Sequence, residues 1–460
     1  MAPRIALIVD NPLRDLDGLI LVAWHLARAG ADAYLVPMYD QPFDIPALHP
    51  DVVLANYVRA NNIDLLKEYR RMGIRIAVLD TEGNAGKSPD EYARMVAATQ
   101  CGDFVDAYLL WGEKQYEAFT RSRAAGNSDM RLTGCPRFDF CAPRWRGALR
   151  KPSVEQKFVL INTNFPVVHP RFSASTEDER RTMTRVGFTA QFATEYARAS
   201  TVAYETMVSA CARLAGEMRH RHFVLRPHPF ESPTAYEQLA VLPNFEIRQE
   251  GTSLEWINGS SALLHQNCST AVEAVMLGRE PIALEWFNHP ALRLEWASSV
   301  SRQALSFEHL LVELDKVLVG QPDPVSRAVE TSRAQVVRDY FFSNDGRAGE
   351  RVAESLLELA LSPKRTLQVP SGTARARVIA AARRLLGPQR FRVLQKRLSG
   401  EAMAVRRTAK AFSLDNASDT LARIGCVEHG DKRIKVDIAT DLAYRRPRLS
   451  SGRCLAVHSV

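Results

Sequence analysis

Short apolar runs alternate with amphipathic stretches over the first 360 residues of the chain. Runs such as 4–10, 51–57 and 107–112 are compact and apolar, as in strands that are buried on both faces of a parallel sheet. The stretches 61–72 and 113–124 instead carry apolar residues at helical spacing. Strands and helices that alternate in this way predict a doubly wound parallel α/β sheet.

A segment rich in proline and arginine, residues 135–153, interrupts this pattern, and a second series of predicted strands begins at 157–165. The absence of a G-x-G-x-x-G fingerprint argues against a dinucleotide dehydrogenase. We therefore predict two Rossmann-like α/β domains that face one another across a cleft, followed by an extension. The predicted bounds are 1–150 for the first domain, 151–362 for the second, and 363–460 for a basic, helical and partly disordered extension.

The positive charge of the chain is concentrated in that extension. The whole chain has a net charge of +8, whereas residues 363–411 hold thirteen Lys or Arg and a single acid, Glu401. Two amphipathic helices are predicted within 373–398, and basic amphipathic helices suit an anionic membrane surface. The alternative is that they pack on the acidic remainder of the chain. A single aromatic residue, Phe391, makes a nucleic-acid partner a poor fit.

Other sequence features limit the compartment and the metal chemistry. The longest apolar run, 18–26, is too short to span a bilayer, and the N-terminus has the pattern of a first strand, so we expect a cytoplasmic protein. The seven cysteines form no Cys-x-x-Cys pair, which indicates reduced thiols and no structural zinc. With no clear DxD motif, we expect no required metal or other cofactor.

Polar residues stand where several predicted strands end. Asp80 and Glu82 follow one strand of the first series, and Asn162 and Asn164 follow the first strand of the second. Further residues of this kind are Arg226 and His228, and then Asn267 to Thr270. Because open α/β sheets bind ligands at the carboxyl ends of their strands, we interpret these positions as a binding site. For His228, flanked by Pro227 and Pro229, the alternative is an ordinary strand end with a surface histidine.

Two of these stretches favour specific chemistry. Residues 267–278 open a helix after a strand, where free backbone N–H groups and the hydroxyls of Ser269 and Thr270 suit a phosphate, and Glu273 could bind ribose hydroxyls. The alternative is a capping box formed by Thr270 and Glu273. A carboxylate in 77–84 could act as a general base on a sugar hydroxyl. The alternative interpretation of this stretch is a polar turn with a structural role only.

The motifs together resemble those of a known family. They are Thr81-Glu82-Gly83 preceded by Asp80, His228-Pro229 and Ser269-Thr270, with the stretches "DNPLRDLDG" (10–18), "LTGCPRFDF" (132–140) and "RPHPFE" (226–231). Over residues 4 to 360 the chain resembles the bacterial surface carbohydrate biosynthesis proteins. More distantly it is similar to the two-domain bacterial sialyltransferases and Kdo transferases.

The resemblance implies a GT-B glycosyltransferase that moves a CMP-activated sugar, of the Kdo or sialic-acid type, to a lipid-linked surface-polysaccharide acceptor. It implies that Glu82 or Asp80 is the catalytic base, with Glu82 preferred because it adjoins Gly83, and that His228 contacts the departing phosphate. The implied nucleotide-binding residues are Arg226, Pro229, Asn267, Ser269, Thr270, Glu273, Asn162 and Asn164. The implied acceptor residues are Asn11, Arg14 and Asp17.

Three other functions fit the same motifs. The RPHP and N-x-S-T-x-x-E signature also occurs in CDP-glycerol glycerophosphotransferases, and related two-domain folds include the non-hydrolysing UDP-GlcNAc 2-epimerases. A non-catalytic, nucleotide-binding subunit of a polysaccharide assembly complex is the third alternative. Preferential binding of CMP, CDP or UDP distinguishes the three enzymes from one another. Binding of CMP without any sugar transfer indicates the non-catalytic subunit.

Overall fold

The chain folds into two compact α/β units in this computed structural model, which describes residues 2–83, 88–185, 188–320, 324–363, 369, 373–399, 410–428, 434–439 and 454–459. One unit combines Met1–Ala148 with Arg338–Val460, and the other comprises Leu149–Val337. Each unit has its own sheet. The prediction of two Rossmann-like α/β domains is confirmed, whereas the cleft between them stays a prediction.

The first unit is built on an eight-stranded sheet in the order β13-β14-β2-β1-β3-β4-β5-β6. Neighbours from β2 to β6 pair in parallel, and β14 pairs antiparallel with both β2 and β13. The strands are β1 (Arg4–Val9), β2 (Asp32–Pro37), β3 (Val52–Ala55), β4 (Arg75–Leu79), β5 (Ala107–Leu110), β6 (Asp129–Leu132), β13 (Ile434–Ile438) and β14 (Leu455–Ser459).

Helices cover this sheet and bury its continuous apolar strands. The first of them, α1, begins at the N-cap Asn11, whose Oδ1 accepts a hydrogen bond from the Leu13 amide at 3.1 Å. The helices are α1 (Pro12–Arg28), α2 (Gln41–Leu48), α3 (Ile63–Arg71), α4 (Pro89–Ala97), α5 (Glu113–Ser122), α6 (Pro143–Arg146), α15 (Ala348–Leu361), α16 (Ala374–Ser399) and α17 (Leu414–Val427).

The second unit is built on a six-stranded, fully parallel sheet in the order β12-β11-β10-β7-β8-β9. Its strands are β7 (Phe158–Asn162), β8 (His222–Arg226), β9 (Phe245–Ile247), β10 (Ala262–His265), β11 (Pro281–Leu284) and β12 (Arg302–Ala304). Its helices are α7 (Thr176–Arg185), α8 (Ala190–Glu217), α9 (Glu237–Ala240), α10 (Ser253–Gly259), α11 (Thr270–Met276), α12 (Glu295–Ser299), α13 (Phe307–Leu318) and α14 (Arg327–Phe341), the last of which continues into the first unit.

The two units divide the chain differently from the predicted domains, because residues after 337 belong to the first unit. Asp139 explains the position of α15, since its carboxylate accepts hydrogen bonds from the amides of Ala348 (2.9 Å) and Gly349 (2.7 Å). Likewise, α17 packs on α1, and the Thr420 hydroxyl donates to Asp17 Oδ1 at 2.7 Å. The extension therefore contributes the strands β13 and β14 and the helices α16 and α17 to the first unit.

The two basic helices predicted within 373–398 are present as the two halves of α16, which a break at Gly387 separates. That residue has φ 73° and ψ 171°, a backbone conformation that glycine adopts without strain, and a proline follows it. The prediction that the extension 363–460 is partly disordered stays a prediction, because several of its stretches, among them 400–409 and 440–453, lie outside the described residues. No helix in the described ranges holds an apolar stretch long enough to cross a bilayer.

Candidate functional site

Charged side chains gather where three neighbouring strands of the first sheet end. Asp10 follows β1, Arg59 follows β3, and Asp80 and Glu82 follow β4. Because β1, β3 and β4 are adjacent and parallel, their carboxyl ends lie at one edge of the sheet. We call Asp10, Arg14, Asp15, Arg59, Asp80 and Glu82 the arginine–carboxylate cluster.

Glu82 is the reachable carboxylate of this cluster. Its side chain is 34% exposed, and it lies between two guanidinium groups, Arg14 Nη1 at 3.2 Å and Arg59 Nη1 at 2.9 Å. Burial alone raises the pKa of Glu82, but the two arginines outweigh it and lower that pKa to about 2. Glu82 is therefore fully ionised at neutral pH and is a weak base while both arginines hold it.

Asp80 is buried, with 2% of its side chain exposed. Its Oδ1 accepts from the Glu82 amide (2.8 Å) and Arg59 Nη2 (3.3 Å), and its Oδ2 accepts from the Tyr92 hydroxyl (2.8 Å). Burial raises the pKa of Asp80. These contacts use both oxygens to shape the turn that carries Glu82. At Gly83 a side chain is excluded, since a Cβ would lie 2.8 Å from the Trp111 ring.

Of the three predicted acceptor residues, Arg14 lies in the arginine–carboxylate cluster, whereas Asn11 and Asp17 do not. Arg14 joins the cluster, with Nε 2.7 Å from Asp15 Oδ1 and Nη2 3.0 Å from Thr81 Oγ1. Burial lowers the pKa of Arg14, but Asp15, Glu82 and Asp10 outweigh it and raise that pKa above its ordinary value. Asn11 caps α1, while Asp17 binds the Thr420 hydroxyl of α17. The structure thus brings Arg14 to Glu82, and places Asn11 and Asp17 in helix contacts.

The residues predicted in the second unit also gather at one sheet edge. Asn162 ends β7 and pairs in register with Arg226, the last residue of β8, and with His265, the last residue of β10. We call Asn162, Thr163, Arg226, His228, Glu231 and Thr270 the histidine-turn cluster.

Glu231, which is fully buried, organises this cluster. Its Oε2 accepts from Thr163 Oγ1 (2.9 Å) and from the amides of Phe165 (3.2 Å) and His228 (3.2 Å), and its Oε1 accepts from the Tyr236 hydroxyl. Burial raises the pKa of Glu231. The sequence analysis did not place Glu231 in the site, although "RPHPFE" contains it. Its signal was an acid two residues after His-Pro.

His228 is partly exposed and its ring is oriented by its own turn. Its Nδ1 accepts from the Phe230 amide at 3.2 Å, so the neutral imidazole carries its proton on Nε2. The His228 carbonyl accepts from Gln249 Nε2 at 3.1 Å, and Pro229 is exposed beside it. The turn therefore fixes both the position and the tautomer of the imidazole.

Arg226 supports a neighbouring turn. Its guanidinium donates to the carbonyls of Glu250 and of Gly251 (3.2 Å for the latter) and lies 5.4 Å from the centre of the Trp256 ring. Burial lowers the pKa of Arg226 to about 10. Its described hydrogen bonds therefore run to carbonyl groups, which leave most of the guanidinium charge uncompensated.

The asparagine side chains at this edge donate to a hydroxyl and to a backbone carbonyl, and two of their oxygens remain as buried acceptors. Asn162 Nδ2 donates to Thr270 Oγ1 at 2.9 Å, and Asn164 Nδ2 donates to the Asn267 carbonyl at 3.1 Å. Within the described part of the chain, Asn162 Oδ1 and Asn267 Oδ1 are buried and have no hydrogen-bond partner. Buried polar atoms are normally paired, so these two oxygens mark places where a ligand donor would bind.

The start of α11 differs from the predicted capping box. Ser269, an exposed residue, is the N-cap and makes no side-chain capping bond, while the Thr270 hydroxyl donates to Cys268 Sγ at 3.0 Å. Glu273 is buried and accepts from the Ser253 hydroxyl at 2.8 Å. The predicted capping box of Thr270 and Glu273 is wrong, because the N-cap is Ser269 and Thr270 is already the first residue of the helix.

Apart from acid–base groups, the chemistry of the two clusters could involve metal ligands or cysteine thiols. No group of three or more His, Cys, Asp or Glu side chains in the described ranges is arranged to hold a metal ion. The seven cysteines are free thiols, and Cys268 is the one beside the histidine-turn cluster.

The chain is similar to known proteins in structure and not in sequence. No protein-family model matches the sequence, and no curated protein is significantly similar to it. The UDP-GlcNAc 2-epimerase of Methanocaldococcus jannaschii, in complex with UDP-GlcNAc and UDP, is 12% identical, with a TM-score of 0.45 over 77% of this chain and 99% of that one. The Neisseria meningitidis UDP-GlcNAc 2-epimerase bound to UDP-GlcNAc is 10% identical, with a TM-score of 0.45 over 77% and 100%.

The wall teichoic acid polymerase TagF is 10% identical, with a TM-score of 0.48 over 78% of this chain and 90% of that one. These identities are too low to carry an activity or a substrate from one protein to the other.

Proposed function

We propose that the chain is a GT-B glycosyltransferase that transfers a sugar from a CMP-activated donor, of the Kdo or sialic-acid type, to a lipid-linked surface-polysaccharide acceptor. In this proposal the second unit binds the donor and the first unit binds the acceptor. The observation that carries the proposal is a pair of buried amide oxygens at the edge of the second sheet, Asn162 Oδ1 and Asn267 Oδ1, which have no hydrogen-bond partner among the residues that the structure describes.

On the donor side, His228 acts on the departing phosphate. Its proton is on Nε2, where it can be donated to a phosphate oxygen as the glycosidic bond breaks. Ser269 and Thr270 supply hydroxyls to the same phosphate, and the oxygens of Asn162 and Asn267 accept from amino or hydroxyl groups of the nucleotide. Glu231 and the two prolines keep the imidazole in place, so little reorganisation is needed during transfer.

On the acceptor side, Glu82 removes the proton of the attacking hydroxyl. A pKa of about 2 is too low for an efficient general base near neutral pH. An anionic group of the acceptor that pairs with Arg14 or Arg59 would take part of this charge away from Glu82 and raise its pKa. Binding of the correct acceptor would thus activate the base, while Asp80 positions the turn.

The acceptor is membrane-linked in this proposal, and α16 provides the contact with an anionic surface. Val378 and Leu385 are 69% and 83% exposed, and Arg377 and Arg384 are exposed beside them. The helix also packs on its own unit, since Arg384 Nη2 lies 3.1 Å from Glu68 Oε1. We expect the chain to co-sediment with anionic vesicles at low salt and to be released as salt rises.

Thermal unfolding with a panel of nucleotides tests the donor. CMP is expected to raise the melting temperature more than UMP or AMP, because a ligand at a hundredfold excess over its Kd adds about 2.7 kcal/mol. CDP and UDP belong in the panel, since a glycerophosphotransferase using CDP-glycerol or an epimerase acting on UDP-GlcNAc would prefer them. No shift with any pyrimidine nucleotide would contradict the proposal.

A transfer assay with CMP-Kdo and CMP-sialic acid then distinguishes an enzyme from a binding subunit. Transfer to a lipid-linked acceptor supports the glycosyltransferase. Saturable CMP binding without transfer from either donor would instead support the non-catalytic subunit.

A further inference from the structure

A large groove lies on the first unit between α16 and the segment that contains α2 and α3. Its volume is about 1440 Å³, more than drug-sized ligands need, and apolar side chains line much of it. These include Met38, Phe43, Leu65, Met72, Phe391 and Leu394. The rings of Phe43 and Phe391 meet edge to face, with their centres 6.0 Å apart. The groove is therefore suited to a long apolar ligand.

Arginines give the same groove a surplus of positive charge. Four arginines line it, at 71, 377, 383 and 384, against the two acids Asp64 and Glu68. Arg383 and Arg384 share the carboxylate of Glu68, at 3.0 Å and 3.1 Å respectively. Arg383 Nε is buried and has no hydrogen-bond partner among the described residues. Two guanidiniums with one carboxylate between them leave charge for an anion.

One wall of the groove is shared with the arginine–carboxylate cluster. Tyr57 lines the groove, and the Arg59 guanidinium lies 4.6 Å from the centre of its ring while it pairs with Glu82 at 2.9 Å. Met38 also lines the groove, and its Sδ is 3.6 Å from Lys410 Nζ, which pairs with Asp10. A molecule in the groove would therefore extend toward Glu82 past Tyr57.

We infer that this groove binds the apolar chain and the phosphate of a lipid-linked acceptor and presents the attached glycan to Glu82. The apolar chain packs against Phe43, Phe391 and Leu394, and the phosphate binds Arg383 and Arg384. The identity of the glycan rests on the proposed function, whereas the lipid phosphate rests on the groove alone. Insertion of a single lipid is a different event from contact of α16 with a membrane surface, but the two share residues, because Arg377, Val378, Arg384 and Leu385 also line the groove.

Calorimetric titration of the full chain with decyl phosphate, below its critical micelle concentration, tests the inference. Saturable binding is expected, with inorganic phosphate and decyl maltoside much weaker. Two matched pairs on α16 locate the site. Leu394 lines the groove and its neighbour Val393, 54% exposed, does not; Arg383 lines it and the exposed Arg390 does not.

Leu394→Asp and Arg383→Gln are each expected to weaken the binding of decyl phosphate roughly tenfold, since an apolar contact with the lipid chain or a charged hydrogen bond to the phosphate is lost. Val393→Asp and Arg390→Gln are expected to bind as the parent chain does. Melting temperatures verify folding, and Leu394→Ser replaces the aspartate variant if that variant melts early.

Absence of saturable binding, equal weakening within either pair, or equal affinity for inorganic phosphate would overturn the inference. The experiment uses no nucleotide, so its failure leaves the CMP result untouched. If decyl phosphate binds as expected while no pyrimidine nucleotide does, the groove stands as a lipid phosphate site and the glycosyltransferase proposal fails.

Discussion

Glu82 and Glu231 both follow strand ends of parallel sheets, yet their surroundings shift their pKa values in opposite directions. Glu82 is partly exposed between Arg14 and Arg59, which lower its pKa to about 2. Glu231 is fully buried among hydroxyl and amide donors without an ion pair in the described residues, and burial raises its pKa. One carboxylate is kept charged by opposite charges, and the other is surrounded by neutral hydrogen-bond donors.

The difference in surroundings suits the two carboxylates to different roles, one in contact with substrate and one in positioning the backbone. A charged, reachable carboxylate can meet a substrate, and a bound anion can change how tightly its arginines hold it. A buried carboxylate that accepts from His228 and Phe165 instead fixes the backbone on which a catalytic group stands. We therefore assign Glu82 to chemistry and Glu231 to positioning of the His228 turn.

The largest expected effect is on stability at Glu231. Glu231→Ala leaves the Thr163 and Tyr236 hydroxyls and two amides without their acceptor, so it should destabilise the chain by about 3 kcal/mol in urea unfolding. Glu231→Gln keeps an acceptor oxygen and should recover most of that loss. The exposed Glu237→Gln is the control. Equal stability of Glu231→Ala and Glu237→Gln would show that the buried network does not hold the turn.

The next effect is on transfer at Glu82. Glu82→Gln should lower the transfer rate roughly a hundredfold, as the loss of a general base does. It should also lower the melting temperature, because Arg14 and Arg59 lose their ion pairs with Glu82. The exposed Glu91→Gln serves as the matched control on the following helix.

Asp80→Asn distinguishes the two acids of the turn. It should lower the melting temperature, because Asp80 binds Tyr92 and the Glu82 amide inside the protein. A fully active Glu82→Gln together with an inactive but stably folded Asp80→Asn would transfer the role of base to Asp80. Full activity of both variants would make the turn structural.

The contributions of Glu82 and Glu231 to the free energy of unfolding should change with pH in opposite directions. The folded pKa of Glu82 is depressed, so its stabilising contribution is present above pH 4.5 and is lost as the pH falls toward about 2. The folded pKa of Glu231 is raised, so its contribution is complete below pH 4.5 and declines as the pH rises through the folded pKa. Unfolding free energies of each Gln variant against the parent, measured across pH, check both signs. The same sign for the two residues would contradict the comparison.

Strand ends were predictable from the sequence, whereas partners across the chain were not. Asp80, Glu82, Asn162 and His228 stand at the boundary of apolar runs, where the pattern alone locates the carboxyl edge of a sheet. Arg59 comes to Asp80 from a separate strand, and the carbonyls that hold Arg226 belong to a turn some two dozen residues away. Only folding brings such groups together.

The C-terminal strands were missed for a related reason. In β13, Ile434 and Val436 are buried and the residues between and after them are exposed, so five residues carry only two core positions within a charged segment. That alternation is too short to be distinguished from a loop by pattern. β14 pairs with β2, and β13 pairs with β14, so both depend on an edge of the first sheet that the sequence does not display.

Calorimetric titration of CMP into the parent chain and two variants tests the division of labour most directly. His228→Ala, in the second unit, is expected to bind CMP roughly tenfold more weakly, while Glu82→Gln, in the first unit, should bind within about twofold of the parent. Equal CMP affinity of all three proteins, or loss of CMP binding in Glu82→Gln with His228→Ala unaffected, would contradict the assignment of the donor to the histidine-turn cluster.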